Sequence, residues 1–182
     1  LLAGRRDQMA GRVKFVFQPA EDVGKGAQAM VDDGALTDPK PDYSVGLHVW
    51  NDMPTGELGI SDGPIMAGAS IFTIRVTGKG SHAASPQQGI DPVVCAAQIV
   101  TAFQTIVSRN VDPLDSVVLS VTNIHAGEAY NVIPQFAELR GTVRYYKPEA
   151  FELVETRMRE IAENIAAAMR CTADVNISGM TT

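Results

Sequence analysis

The chain has 182 residues, 45% of them hydrophobic and 20% charged, with 15 Lys+Arg against 21 Asp+Glu and a formal net charge of −6. That much apolar surface supports a packed core and excludes a disordered acidic chain. The acidic balance lacks the basic stripe a nucleic-acid binder needs, and no apolar run reaches the roughly 18 residues of a membrane span.

The first residues, Leu1-Leu2-Ala3-Gly4-Arg5-Arg6-Asp7, have neither an initiator Met nor the charged-then-apolar order of a signal, and read as the tail of a helix. Val13 to Phe17, apolar except for Lys14, predicts a buried strand ending at Gln18-Pro19-Ala20-Glu21-Asp22. A helical stretch at Ala27 to Val31, stopped by Gly34, follows. Further strands are expected at Tyr43 to Val49 and Glu57 to Ile60, so that strand, helix and strand alternate as in an α/β sheet.

After Gly63-Pro64 the pattern changes. Ser70 to Thr77 alternates as a strand, and Asp91-Pro92 is an N-cap followed by proline at the first helical position, opening a helix to about Ser108. Strands are predicted at Ser116 to Ile124 and Phe136 to Tyr145. Pro148 starts a helix whose Phe151, Val154, Met158, Ile161 and Ile165 recur on one face, and Thr172 to Ile177 closes as a strand. The order βαββαβ is that of a ferredoxin-like unit, one antiparallel sheet with both helices on one face. The fold class expected is therefore α/β plus α+β, with residues 1–67 a partial α/β domain and 68–182 the ferredoxin-like domain. Three strands and one helix cannot cover an α/β sheet on both faces, so more chain is expected before Leu1 and after Thr182. Cys95 and Cys171 fall outside any CxxC spacing and fit buried thiols of an intracellular, cytoplasmic protein better than a disulfide.

Several side chains have the chemistry for a site. Glu21 and Asp22 are adjacent carboxylates at a strand's carboxyl end, suited to a metal ligand beside a general base, or to a solvated helix start where acids complement the dipole. His48, in Gly46-Leu47-His48-Val49-Trp50, reads either as a metal ligand or as a core imidazole bonded to a carbonyl. Strand ends of an α/β sheet share one crevice, which allows Glu21, Asp22 and His48 to converge. Gly78-Lys79-Gly80-Ser81-His82-Ala83 has the letters of a dinucleotide fingerprint but not its context, because Ser85-Pro86-Gln87-Gln88-Gly89 intervenes before the helix, and it is no phosphate loop. It reads as a glycine-bounded loop presenting His82 to a substrate oxygen, or as a surface turn. Arg144 suits a bidentate pair with a carboxylate or a plain exposed strand position; Asn131 suits a turn; His125 has no evident partner.

Taken in order, Phe17-Gln18-Pro19-Ala20-Glu21, Gly46-Leu47-His48, Gly78-Lys79-Gly80-Ser81-His82-Ala83-Ala84, Asp91-Pro92, Asn131-Val132-Ile133-Pro134 and Gly141-Thr142-Val143-Arg144 are similar to the motifs of the aminoacylase and hippurate hydrolase family. These are dinuclear-metal amidohydrolases that include carboxypeptidases and auxin-conjugate hydrolases. The resemblance runs over essentially the whole chain. It implies a slice of a zinc-exopeptidase-like catalytic domain followed by a dimerisation or lid domain. It implies hydrolysis of the amide bond of N-acyl amino acids or related small amides, two divalent metal ions per full-length subunit (zinc, or manganese, cobalt or nickel), and a homodimer through residues 68–182.

By the same resemblance Glu21 is the general base, Asp22 and His48 are metal ligands, and His82 polarises the scissile carbonyl, in many members within the partner subunit's site. Asn131 and Arg144 are the substrate-binding pair, with Arg144 on the free carboxylate. The family commonly has a second Glu where this chain has Asp22, one methylene shorter, and carries further ligands in a His/Cys motif before this segment and in a last His near the C-terminus. With only Asp22 and His48 as ligands, fewer than the three of a usual catalytic zinc, these 182 residues alone are expected to be inactive. The rival expectation is a non-catalytic ferredoxin-like dimerisation module.

Overall fold

The computed structural model describes residues 2–21 and 24–181 and divides into two compact units, Leu1–Gly59 and Ile60–Thr182. Asp22 lies outside the described residues.

The second unit holds most of the regular structure. Its strands are β1 (Gly68–Thr77), β2 (Ser81–His82), β3 (Val117–Ala126), β4 (Val132–Ile133), β5 (Phe136–Tyr145) and β6 (Thr172–Thr181), and its helices are α2 (Pro92–Arg109) and α3 (Pro148–Ala168). The main sheet has the order β3-β5-β1-β6 with every pairing antiparallel. This is the ferredoxin-like arrangement that the order of elements predicts.

Local chemistry explains the element limits. The Asp91 carboxylate accepts from the N–H groups of Val93 (2.8 Å) and Val94 (3.3 Å), and Pro92 costs the first turn no hydrogen bond, so α2 begins there. Helix α3 opens on Pro148 with Glu149 in its first turn. It closes where Arg170 turns left-handed (φ 62) and the Cys171 N–H reaches the Ala166 carbonyl at 2.8 Å, the paired closure usually given to glycine.

The core lies between the helices and one face of the sheet. Phe72, Ile74 and Val76 of β1 and Ala137, Leu139 and Val143 of β5 pack under Ile99, Phe103 and Ile106 of α2 and Val154 and Met158 of α3. Phe72 meets Phe103 edge-on at 6.4 Å. Gly141 sits opposite Phe72 in the ladder, and a Cβ there would lie 2.4 Å from the ring and 2.0 Å from the Ser120 carbonyl, so the ring uses the space that glycine leaves. Cys95 and Cys171 are free and buried in this core; burial and the neighbouring Cys171 thiol push Cys95 up to about 12.

The opposite face of the sheet is mostly polar, with Ile71, Val118 and Phe136 exposed among its side chains. Register puts His125, Glu138, Arg75 and Asp174 in one row across the four strands. Glu138 pairs with Arg140, and Arg75 lies over the Phe136 ring at 3.9 Å. Strands β2 and β4 form a separate two-stranded ribbon where the sequence predicts a loop and a turn.

The first unit corrects three expectations. Helix α1 (Gly26–Asp32) forms, after a 3₁₀ turn at Ala3–Gln8. Among the described residues of this unit, however, the runs 13–17 and 43–49 are unpaired, as is the run 57–60 that leads into the second unit, and none is a strand. Their apolar side chains face solvent, Phe17 at 84% and Val45 at 94% exposure. An apolar run specifies burial, but a strand also needs a neighbour to take its N–H and C=O groups.

Candidate functional site

In the first unit, Glu21 sits in a turn folded against α1. Ala20 takes a left-handed φ of 52, the Glu21 carbonyl accepts from the Gly24 N–H at 2.8 Å, and the Glu21 side chain is exposed. Gly26 makes the turn possible, because a Cβ there would lie 1.6 Å from the Pro19 carbonyl oxygen. His48 lies in the unpaired run 43–49, edge-on to Trp50 at 5.8 Å. Its Nδ1 is 2.6 Å from the Val49 carbonyl, which can only accept, so in the neutral ring Nδ1 carries the proton and Nε2 keeps its lone pair.

A free Nε2 with the other ring nitrogen held by a carbonyl is the state a metal-ligating imidazole takes, so His48 fits a divalent cation. The set as a whole is incomplete: among the described residues no group of three His, Cys, Asp or Glu side chains could hold a metal ion. The convergence expected of Glu21, Asp22 and His48 rested on paired strands, and none is present among the described residues of this unit.

In the second unit, the loop after β1 is held by close backbone approaches. Lys79 and Ile90 exchange two hydrogen bonds of 2.9 Å, and the Gly78 N–H donates to the Gln135 carbonyl at 2.8 Å. A Cβ on Gly78 would lie 2.2 Å from the Ile90 carbonyl, and one on Gly89 would lie 2.5 Å from Ser81 Oγ. These glycines let β2 reach β4. His82 then pairs with Val132, and the Ala83 N–H donates to the Asn131 carbonyl at 2.9 Å, so His82 and Asn131 are neighbours. His82 is exposed, and its Nδ1 accepts from the Ala84 N–H at 3.1 Å.

Arg144 is elsewhere. It is exposed near the far end of β5, between Ala69 of β1 and Val118 of β3. Counting along β5 from Phe136, next to the ribbon, eight residues at about 3.3 Å each put it roughly 26 Å away. The structure therefore brings His82 to Asn131 but not to Arg144. The Ala84 amide is a contributor that sequence reasoning misses, since a backbone N–H leaves no mark on residue type. The glycines at 78, 80 and 89 were the available sign of a tightly held loop.

The sequence model for a peptidase dimerisation domain matches residues 67–170. The chain is 41% identical over 174 residues to an N-acetylcysteine deacetylase of Bacillus subtilis (strain 168), covering 96% of this chain and 45% of that protein. It is 43% identical over 164 residues to an N-acyl-L-amino acid amidohydrolase of Geobacillus stearothermophilus, covering 90% and 44%. Its structure is similar to that of a dinuclear metal-binding peptidase of the M20 family from Bacillus subtilis, with a TM-score of 0.74 and 34% identity over 99% of this chain and 44% of the other. The chain thus spans less than half the length of these relatives.

Proposed function

The chain belongs to the M20 peptidases by its dimerisation domain, and from that premise we propose that it is the central segment of a metal-dependent amidohydrolase acting on N-acyl amino acids. The observation that carries the reading is the similarity to a deacetylase and an amidohydrolase of such substrates, which continues through both units and is not confined to the dimerisation domain. A bare dimerisation module would have no use for the turn that exposes Glu21 or for the Nε2 that His48 leaves free.

In this reading residues 1–67 belong to the catalytic domain and 68–182 form the dimerisation domain. Glu21 takes the proton of the attacking water and returns it to the leaving amine. His82 donates a hydrogen bond to the carbonyl oxygen as charge develops there. Asn131 orients the substrate, and Arg144 pairs with its free carboxylate through two parallel N–H···O bonds. His48 and Asp22 would hold divalent metal, zinc by the preference of imidazole with carboxylate; when bound, it polarises the carbonyl and acidifies water. The two buried free thiols suit a reducing, cytoplasmic setting. Among the described residues no helix is long and apolar enough to cross a membrane.

The separation within one protomer supports a shared site. An acyl amino acid spans about 7 Å, two residue lengths, whereas Arg144 lies roughly 26 Å along β5 from Phe136, the strand end that follows the β2–β4 ribbon. In a homodimer, His82 and Asn131 of one subunit and Arg144 of the other serve one substrate. Two features suit such a dimer. Strand β3 is a sheet edge. The neighbouring α2 has no charged side chain from Pro92 to Ser108 while exposing Val93, Val94, Ala97 and Thr101, whereas α3 exposes Glu152, Glu160 and Glu163.

The test is turnover by the metal-loaded, full-length protein. Release of free amino acid from N-acetyl amino acids is expected, abolished by a chelator and restored by zinc. No turnover on any N-acyl amino acid with metal bound, or turnover indifferent to chelation, contradicts the proposal.

A further inference from the structure

We propose that the backbone amide of Ala84 is a positioning group that fixes the tautomer of His82, placing the proton of the neutral ring on Nε2 so that the ring presents a fixed hydrogen-bond donor. The inference rests on the role given to His82 above and specifies its tautomer.

The argument is one of donor and acceptor inventory. An amide N–H can only donate, and the Ala84 N–H lies 3.1 Å from His82 Nδ1. The nitrogen that accepts must present a lone pair, so the proton of the neutral ring resides on Nε2. The amide is itself fixed. The Ser85 N–H donates to the His82 carbonyl at 2.8 Å, closing a turn over residues 82–85, and the Ala83 N–H is held by Asn131 at 2.9 Å. Both sides of Ala84 are thus tied down and its N–H cannot swing away.

His48 is the natural comparison. There Nδ1 faces a carbonyl, which forces the proton onto Nδ1 and leaves Nε2 to accept or ligate. Backbone groups of opposite polarity, an amide at His82 and a carbonyl at His48, write opposite tautomers into two rings of the same residue type. Each tautomer suits one task. A fixed Nε2–H meets an oxygen that gains negative charge without having to give up its proton, so no proton must be recovered before the next turnover. A ring that accepted at Nε2 would repel that oxygen.

Nitrogen-15 NMR of the 182-residue chain tests this without substrate or metal. At a pH where the imidazoles are neutral, His82 is expected to show a pyridine-like Nδ1 and a pyrrole-like Nε2, assigned by loss of those signals in His82→Gln, while His48 shows the reverse. A pyrrole-like Nδ1 at His82, or averaged shifts from a mixture of tautomers, overturns the proposal in the wild-type chain alone. Ala84→Gly keeps the amide and should keep the pattern. Ala84→Pro removes the donor and should release the tautomer while the core methyl signals of α2 and α3 stay in place; an unchanged His82 pattern in that folded variant also overturns it. If the tautomer is as stated but His82→Gln of the full-length enzyme keeps its turnover, the positioning by Ala84 stands and the oxyanion role falls.

Discussion

Glu21→Gln in the full-length enzyme is expected to lower turnover by about 10²–10⁴-fold, the range that a positioned general base supplies, and to leave metal content unchanged. Glutamine keeps the length and the hydrogen-bonding oxygen of the side chain but cannot take a proton. Since Glu21 is exposed and contributes to its turn through its backbone carbonyl, the change leaves the fold in place. The loss should fall on kcat with little change in KM, as for a group that acts only in the transition state. A variant with near-normal kcat would remove Glu21 from the mechanism.

Phe72→Ala should destabilise the second unit by about 3–5 kcal/mol, the usual range for truncating a buried aromatic. Phe72 is fully buried, packs edge-on against Phe103 and covers the space over Gly141, so its removal opens a cavity against two strands and a helix that have little room to close it. Urea unfolding followed by far-UV circular dichroism reads this directly, because α2 and α3 supply most of the helical signal. A loss under about 1 kcal/mol would mean that the core repacks around the vacancy.

The second unit was legible in the sequence because its signals are local. Asp91-Pro92 and Pro148 mark helix starts, and the alternation in 70–77 and 136–145 is a property of single strands packed on one face. In the first unit only helix α1 was. The runs at 13–17 and 43–49 have the composition of buried strands, yet a strand exists only when another strand pairs with it, and composition names no partner. The β2–β4 ribbon escaped because two residues carry no period. At the candidate site, residue types at 48 and 82 were readable as functional histidines. What sets their chemistry, a carbonyl at one and an amide at the other, is backbone geometry that both sequences of letters leave open.

The central claim, an amidohydrolase site completed by His82 of the partner subunit, is tested most directly by mixing two inactive variants. Glu21→Gln and His82→Ala homodimers of the full-length enzyme are each expected to be nearly inactive. After dissociation and reassociation at equal amounts, half of the dimers are hybrids, and each hybrid has one site with Glu21 and His82 both intact, contributed by different subunits. Activity should return to about a quarter of the wild-type value, the statistical yield for an isologous dimer. If exchange is demonstrated by mass and activity stays at the level of the separate variants, His82 and Glu21 do not meet across subunits and the shared site is wrong.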